Sequence, residues 1–153
     1  MAPPARPYLT YPIPDTEAKM SDPEDRLRER PSERFAGSEH LFNLDAETEK
    51  LRSEPGGTKK RHRQITLFRG GGMSLVLFDF DAGGGLSDHA TDGFVTVHVL
   101  DGEARMTTAG HEYPMPADSL LVLTPGVKHD IVAVTPSRVL LSVRLDPSED
   151  ERP

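Results

Sequence analysis

Apolar and polar residues alternate in short segments through the second half of the chain. Between residues 138 and 145 the alternation is regular, with Val139, Leu141, Val143 and Leu145 at every second position and mostly polar residues between them. A period of two places these four side chains on one face of a β-strand. Similar runs of Val, Ile, Leu and Phe precede it, separated by Gly, Pro and Asp, a texture typical of an antiparallel sandwich or barrel. The predicted strands lie at residues 63–69, 73–80, 86–91, 93–100, 103–108, 111–115, 120–124, 128–135 and 138–145.

The first twenty residues differ in composition and in the spacing of their apolar residues. Residues 1–20 carry five prolines around Leu9, Tyr11 and Ile13, whose spacing of two would place them on one side of an extended segment. Because proline interrupts helices, this pattern predicts an irregular arm.

Two short helices are expected after the arm, both peripheral to the core. The Ser-Asp-Pro-Glu sequence has the spacing of a capping box and predicts a short helix over 21–30, which Pro31 would stop. A second helix is predicted over 45–52, with Leu44 and Leu51 as the side chains that would dock it.

Composition places the core in the second half of the chain, because all ten valines follow residue 75. We therefore divide the chain into a proline-rich arm and peripheral segment (1–62), a β-barrel (63–146) and a polar C-terminal tail (147–153). A barrel of this size is marginal alone, and the apolar arm could cover part of a second subunit. The expected assembly is a homodimer.

The net charge and the absence of cysteine exclude or disfavour several kinds of partner and chemistry. The net charge of -7 disfavours nucleic acid and an anionic membrane as principal partners. No Cys is present, which excludes disulfides and thiolate chemistry in this chain. No apolar run approaches the length of a membrane span, and the first residues lack the apolar core of a signal peptide, so a cytoplasmic location is expected.

Histidines are the candidate chemical groups, and they fall into two sets. Three lie in polar or turn sequence and are expected at the surface, and three lie in or beside apolar strands. The first set is His40, His62 and His111, and the second is His89, His98 and His129. On a strand through 94–100, His98 falls on the face opposite to the valines, so it is predicted to point away from any pocket inside the barrel.

One spacing pattern connects His89 to a known family. Gly83 is followed by five residues and then His89, with Gly102 closing the pattern. This frame resembles the first motif of the cupin family, Gly, five residues, His-x-His, three or four residues, Glu, six residues, Gly. Thr91 occupies the second His position and Val95 the Glu position, so two of that motif's three ligands are replaced.

A second segment carries the same resemblance. Residues 124–133 are similar to the second cupin motif, Pro-x-Gly-x-x-His-x-x-x-Asn, through Gly126 and His129. Proline is displaced to Pro125, and Ala133 replaces Asn. The resemblance extends over about residues 65–145.

The resemblance implies an all-β fold, a jelly-roll β-barrel with a mostly irregular N-terminal arm and short peripheral helices. It also implies that the motif positions point into the barrel mouth from neighbouring strands. Strand parity adds apolar lining, which suits a small molecule with one polar end. The predicted ligand pocket is His89, Thr91, Val95, Val97, Met106 and His129.

The chemistry of this reduced site leaves three functions open. The first is small-molecule binding, in which His89 and His129 orient an anionic or carbonyl-bearing ligand. The second is a metal-dependent enzyme of the dioxygenase, isomerase or decarboxylase type, with a divalent metal (Fe, Mn, Ni or Zn) at the two histidines; two His alone are too few for the usual sites. The third is a structural or regulatory dimerisation module. No catalytic residue is assigned.

Overall fold

The computed structural model describes residues 28–55 and 61–145, and for Asp88 and His89 it describes the backbone. The predicted arm over 1–20, most of the predicted helix over 21–30 and the predicted tail lie outside the described residues. Within them, no helix is long and apolar enough to cross a membrane.

The described residues form two antiparallel sheets packed face to face, which confirms the all-β jelly-roll fold. The first sheet has the strand order β1-β2-β9-β4-β7 and the second has the order β3-β8-β5-β6. Each strand begins and ends within two residues of its predicted bounds, because alternation and turn residues act locally. The strands are β1 (His62–Gly70), β2 (Met73–Phe80), β3 (Gly85–His89), β4 (Gly93–Asp101), β5 (Glu103–Thr108), β6 (His111–Pro116), β7 (Leu120–Leu123), β8 (His129–Ala133) and β9 (Ser137–Leu145).

The main core lies between the two sheets. On β4 the buried residues are Val95, Val97 and Val99, while the residues between them are partly exposed, as the period of two requires. The same alternation recurs on β9. The buried core residues are Val76, Phe78, Phe80, Val95, Val97, Val99, Ala104, Met106, Met115, Leu123, Ile131, Ala133, Val139, Leu141 and Val143.

A helix covers part of the outer face of the five-stranded sheet. We label the four-residue turn Pro31–Arg34 α1 and the helix Leu44–Ser53 α2. Leu51 of α2 is buried against Leu67 and Leu77, and Leu44 is partly buried against the same cluster. The second predicted helix and both docking side chains are therefore confirmed. Around β1 and β2, this sheet is therefore covered by apolar groups on both faces.

The prediction that Pro31 stops a helix is wrong. Residues 28–30 are not helical, and Pro31 instead occupies the first turn of α1. Proline is well suited to this position, because the first N–H groups of a helix have no partner within the helix.

Candidate functional site

His129 is the first residue of β8, and its side chain is on the same strand face as the core residues Ile131 and Ala133. Only 4% of its surface is exposed. Its Nδ1 lies 3.0 Å from the carbonyl oxygen of Val127. A carbonyl can only accept, so Nδ1 carries the proton and donates it. In the neutral ring Nε2 is then the acceptor, which fixes the tautomer.

Burial lowers the pKa of His129 below the ordinary value of 6.5, because desolvation disfavours the charged imidazolium. The hydrogen bond to Val127 and the nearby Asp130 carboxylate oppose this change less strongly. His129 is thus a neutral imidazole at neutral pH.

His89 ends β3 directly beside His129. The two residues are backbone partners in the antiparallel β3–β8 ladder. The two histidines retained in the motifs therefore lie opposite each other on adjacent strands, as expected of ligand positions on neighbouring strands.

Thr91 does not lie on a strand, which corrects the predicted strand over 86–91. β3 ends at His89, and Thr91 is buried in the connection to β4. Its hydroxyl oxygen accepts a hydrogen bond from the Gly93 N–H at 3.1 Å, and its carbonyl accepts one from the Gly126 N–H at 2.8 Å. Thr91 therefore joins the two motif segments, and its hydroxyl already takes part in the loop structure.

The other predicted pocket residues are buried in the apolar core between the sheets. Val95 is only 1% exposed, and Val97 and Met106 are buried in the same inter-sheet core. In the β4–β9–β2 ladders, Val95 and Val97 lie at successive inward positions. The position that carries Glu in the family motif is thus a fully buried aliphatic side chain.

This donor set does not fit the metal site that the family motif describes. Val95 supplies no ligand, and Thr91 supplies a neutral hydroxyl that already bonds the Gly93 N–H. Among the described residues, no three His, Cys, Asp or Glu side chains are grouped closely enough to hold a metal ion.

His62 is not at the surface, and that expectation is wrong. Its ring contacts the rings of Phe78 and Phe80, with centroids 5.7 and 5.4 Å away, on the inner face of β1. Gln64 and Thr66 follow it on the same face. The sequence analysis assigned none of these three residues to the barrel interior, because it expected His62 at the surface and predicted no inner face for this strand. The outer face of this sheet is itself covered by α2, so apolar character does not identify the inner side.

The remaining histidines lie away from the barrel interior. His98 is half-buried on the outer face of β4, where parity placed it. His111 is exposed beside Tyr113. His40 contacts Phe42 and Phe68 near the edge of the sheet and is partly buried.

Comparison with known proteins agrees with this fold. Residues 80–152 match the family described as the AraC-like ligand binding domain. The curated proteins give no match.

Several solved structures are similar over most of the barrel. A conserved protein of unknown function from Streptococcus pyogenes is 21% identical over 74% of this chain and 93% of its own, with a TM-score of 0.59. A cupin superfamily protein from Desulfitobacterium hafniense is 16% identical over 74% and 96%, with a TM-score of 0.58. An RmlC-like cupin from Shewanella frigidimarina is 20% identical over the same shares, with a TM-score of 0.57. At these identities the likeness shows the fold alone, and the fold is that of a small cupin-type jelly roll.

Proposed function

We propose that the barrel binds a small molecule through the end that holds His89 and His129, with the walls formed by Val95, Val97 and Met106. The match to a family described as a ligand binding domain supports this proposal. The observation that carries it is His129, a buried imidazole whose Nδ1–H donates to the Val127 carbonyl.

The tautomer of His129 favours one kind of ligand group. Its Nδ1–H donates a hydrogen bond to the Val127 carbonyl oxygen. In the neutral ring Nε2 carries no proton and is therefore an acceptor. A ligand group that donates, such as a hydroxyl or an amide N–H, is complementary to it. An anionic or carbonyl-bearing group, which the sequence suggested, would require a charged ring, and burial disfavours that form.

The test separates His129 from general effects on folding. The change His129→Asn keeps an amide group near the position of Nδ1, which can still donate to Val127, and removes the Nε2 acceptor. The matched control is His98→Asn, because His98 lies on the outer face of β4.

Melting temperatures are measured after treatment with chelator, with small aromatic, carboxylate, amide and sugar compounds. A ligand at a hundred times its Kd stabilises the folded state by about 2.7 kcal/mol. We expect at least one compound to raise the melting temperature of wild type and the His98 variant, and to have a much smaller effect on the His129 variant. A panel that stabilises none of the proteins, or all three equally, contradicts the proposal.

We propose that this binding requires no metal, because the residues at the Glu and second His positions of the motif do not supply ligands. Metal analysis of protein purified without chelator is expected to give well below one equivalent per chain. Close to one equivalent, lost on His89→Ala, would favour the metal-dependent enzyme instead.

We also propose that the protein forms a homodimer through the outer face of β7. Leu120 and Val122 are 61% and 55% exposed there, at the edge of the five-stranded sheet. Association is favoured because it would cover two aliphatic side chains beside a strand edge that pairs with no other described strand. Light scattering is expected to give twice the chain mass of 16.8 kDa, and Leu120→Lys is expected to give monomers. A wild-type protein that is monomeric at micromolar concentration contradicts the dimer.

A further inference from the structure

The inner face of β1 carries polar side chains where its neighbouring strands carry apolar ones. We call His62, Gln64 and Thr66 the β1 polar row. The three residues pair in the β1–β2 ladder with the buried core residues Phe80, Phe78 and Val76 respectively. The row therefore faces the space between the sheets. It lies outside both motif segments.

Two polar atoms of the row are buried without a hydrogen-bond partner in the described part of the chain. They are the hydroxyl oxygen of Thr66, a residue that is 2% exposed, and Nδ1 of His62. Burying a polar atom without a partner costs free energy, and most buried polar groups in folded proteins are paired. Neither atom is accessible in the free protein, so a molecule that completes these hydrogen bonds has to displace neighbouring side chains when it binds.

The hydrogen-bonding capacity of each atom defines the chemistry that could pair with it. His62 Nε2 lies 2.9 Å from the side-chain oxygen of Gln64, so Nε2 donates to that oxygen. In the neutral ring Nδ1 is then an acceptor and requires a donor. The Thr66 hydroxyl can both donate and accept. The stacked rings of Phe78 and Phe80, 5.2 Å apart, supply an apolar surface beside His62.

The polar row is held in position from the outer edge of the sheet. β1 is an edge strand, and two of its carbonyl groups accept hydrogen bonds from arginines of the preceding segment. Arg28 Nη2 donates to the Gln64 carbonyl at 3.0 Å, and Arg34 donates to the Thr66 carbonyl. Arg28 is itself fixed by two hydrogen bonds to the Glu54 carboxylate. These contacts tie the edge strand to the segment that precedes it.

We propose that the β1 polar row is a subsite for a neutral ligand with hydroxyl or amide N–H donors at both ends. This rests on the proposed binding function and specifies its ligand class. Four residues of strand separate His62 from Thr66, about 13 Å between Cα atoms. A molecule that lies along the strand and reaches both side chains is therefore short, and a chain of about four carbons with a donor at each end is a suitable probe.

Three length-matched probes test this chemistry: erythritol supplies hydroxyl donors, succinamide supplies amide donors, and succinate supplies acceptors only. Dissociation constants are measured by NMR titration of the full chain. Wild type is expected to bind erythritol or succinamide, and to bind succinate at least tenfold more weakly. Which of the two neutral probes binds more tightly identifies the donor as hydroxyl or amide. Preference for succinate, or no binding of either neutral probe at 100 mM, overturns the proposal.

Two substitutions test the residues. Thr66→Val keeps the shape and removes the unpaired hydroxyl, so it is expected to raise the melting temperature of the free protein by about 3 °C and to weaken the neutral probe about tenfold. His62→Phe keeps a ring against Phe78 and is expected to weaken the probe similarly. The control is Thr96→Val, on the outer face of β4, where the hydroxyl is hydrogen-bonded to Ser142. It should lower the melting temperature and leave probe binding unchanged.

The outcomes distinguish this subsite from the proposed function. If a neutral probe binds and is lost in His129→Asn, but keeps its affinity in Thr66→Val and His62→Phe, the barrel binds ligands and the β1 subsite is wrong. A Thr66→Val protein that melts lower and binds the probe as wild type does shows that the hydroxyl has a structural role, which also overturns the proposal.

Discussion

Restoring the family's metal ligands tests the account of Val95 and Thr91. Val95 is almost completely buried in the core between the sheets. A carboxylate at this position would have no described cation beside it. The change Val95→Glu is therefore expected to cost about 3 kcal/mol, through burial of a charge or protonation of the carboxyl. In a chain of this size that corresponds to a melting temperature about 10 °C lower.

The double variant Thr91→His/Val95→Glu supplies the two missing ligands next to His89 and His129. Bound metal at a hundred times its Kd restores about 2.7 kcal/mol, so most of the loss should return when Zn²⁺ or Mn²⁺ is added. The assay is thermal unfolding with chelator and then with metal, for wild type and variants. Wild type should not respond.

The matched control is Thr91→His/Val97→Glu, because Val97 is the next inward position on the same strand and equally buried. We expect similar destabilisation without recovery in metal. The reasoning is refuted if wild type gains as much as the double variant from metal, or if Val95→Glu causes no loss of stability.

Three further predictions concern stability. Leu51→Ala removes the buried contact of α2 with the outer face of the sheet and is expected to cost about 3 kcal/mol in urea unfolding; a cost under 1 kcal/mol would mean that α2 is not docked in solution. Because the pKa of His129 is lowered on folding, the unfolded chain binds the proton more readily; the free energy of unfolding should fall as pH drops from about 6.5 through the folded pKa, and His129→Asn should flatten this part of the profile. If His129→Asn leaves the profile unchanged, this pH dependence does not come from His129. Gly102→Ala should destabilise more than Gly110→Ala in thermal unfolding: both glycines have positive φ, but a Cβ at Gly102 would lie 2.2 Å from the Pro136 carbonyl oxygen, whereas nothing lies within 4 Å at Gly110. Equal costs would argue against this close approach.

Most of the fold could be predicted from sequence because its determinants are local. The alternation of β9 and the turn glycines between strands place each strand to within two residues. The docking of α2 through Leu44 and Leu51 could also be predicted, since the two large apolar residues of an otherwise polar helix are the ones that can pack against the sheet.

The inner face of β1 could not be predicted in this way. Ile65 and Leu67 have the apolar character expected of inward residues, yet Leu67 packs with the outer cluster beneath α2. The β1 polar row faces inward instead. Because apolar residues cover both faces of the sheet around β1, apolar character does not identify the inner face. A bulge between Thr66 and Phe68 further shifts the parity. Alternation reveals that two faces differ, but the position of α2 decides which one is inside.

The candidate site could be predicted from the sequence only in part. Motif spacing selected His89 and His129, and their strands are neighbours in the sheet. The tautomer of His129 and the engagement of Thr91 in the loop depend on the carbonyl of Val127 and the N–H of Gly93, which only the folded backbone brings into contact.

The protonation of His129 tests the central claim most directly, because the proposed ligand chemistry depends on a neutral ring that accepts through Nε2. Long-range proton–nitrogen NMR spectra of the six histidines, recorded across pH with and without erythritol or succinamide, report the tautomer of each ring. We predict a His129 ring with the proton on Nδ1, a pKa below 6.5, and a change at Nε2 when the probe binds. A His129 ring that is charged at neutral pH, or protonated on Nε2 in the free protein, would contradict the account.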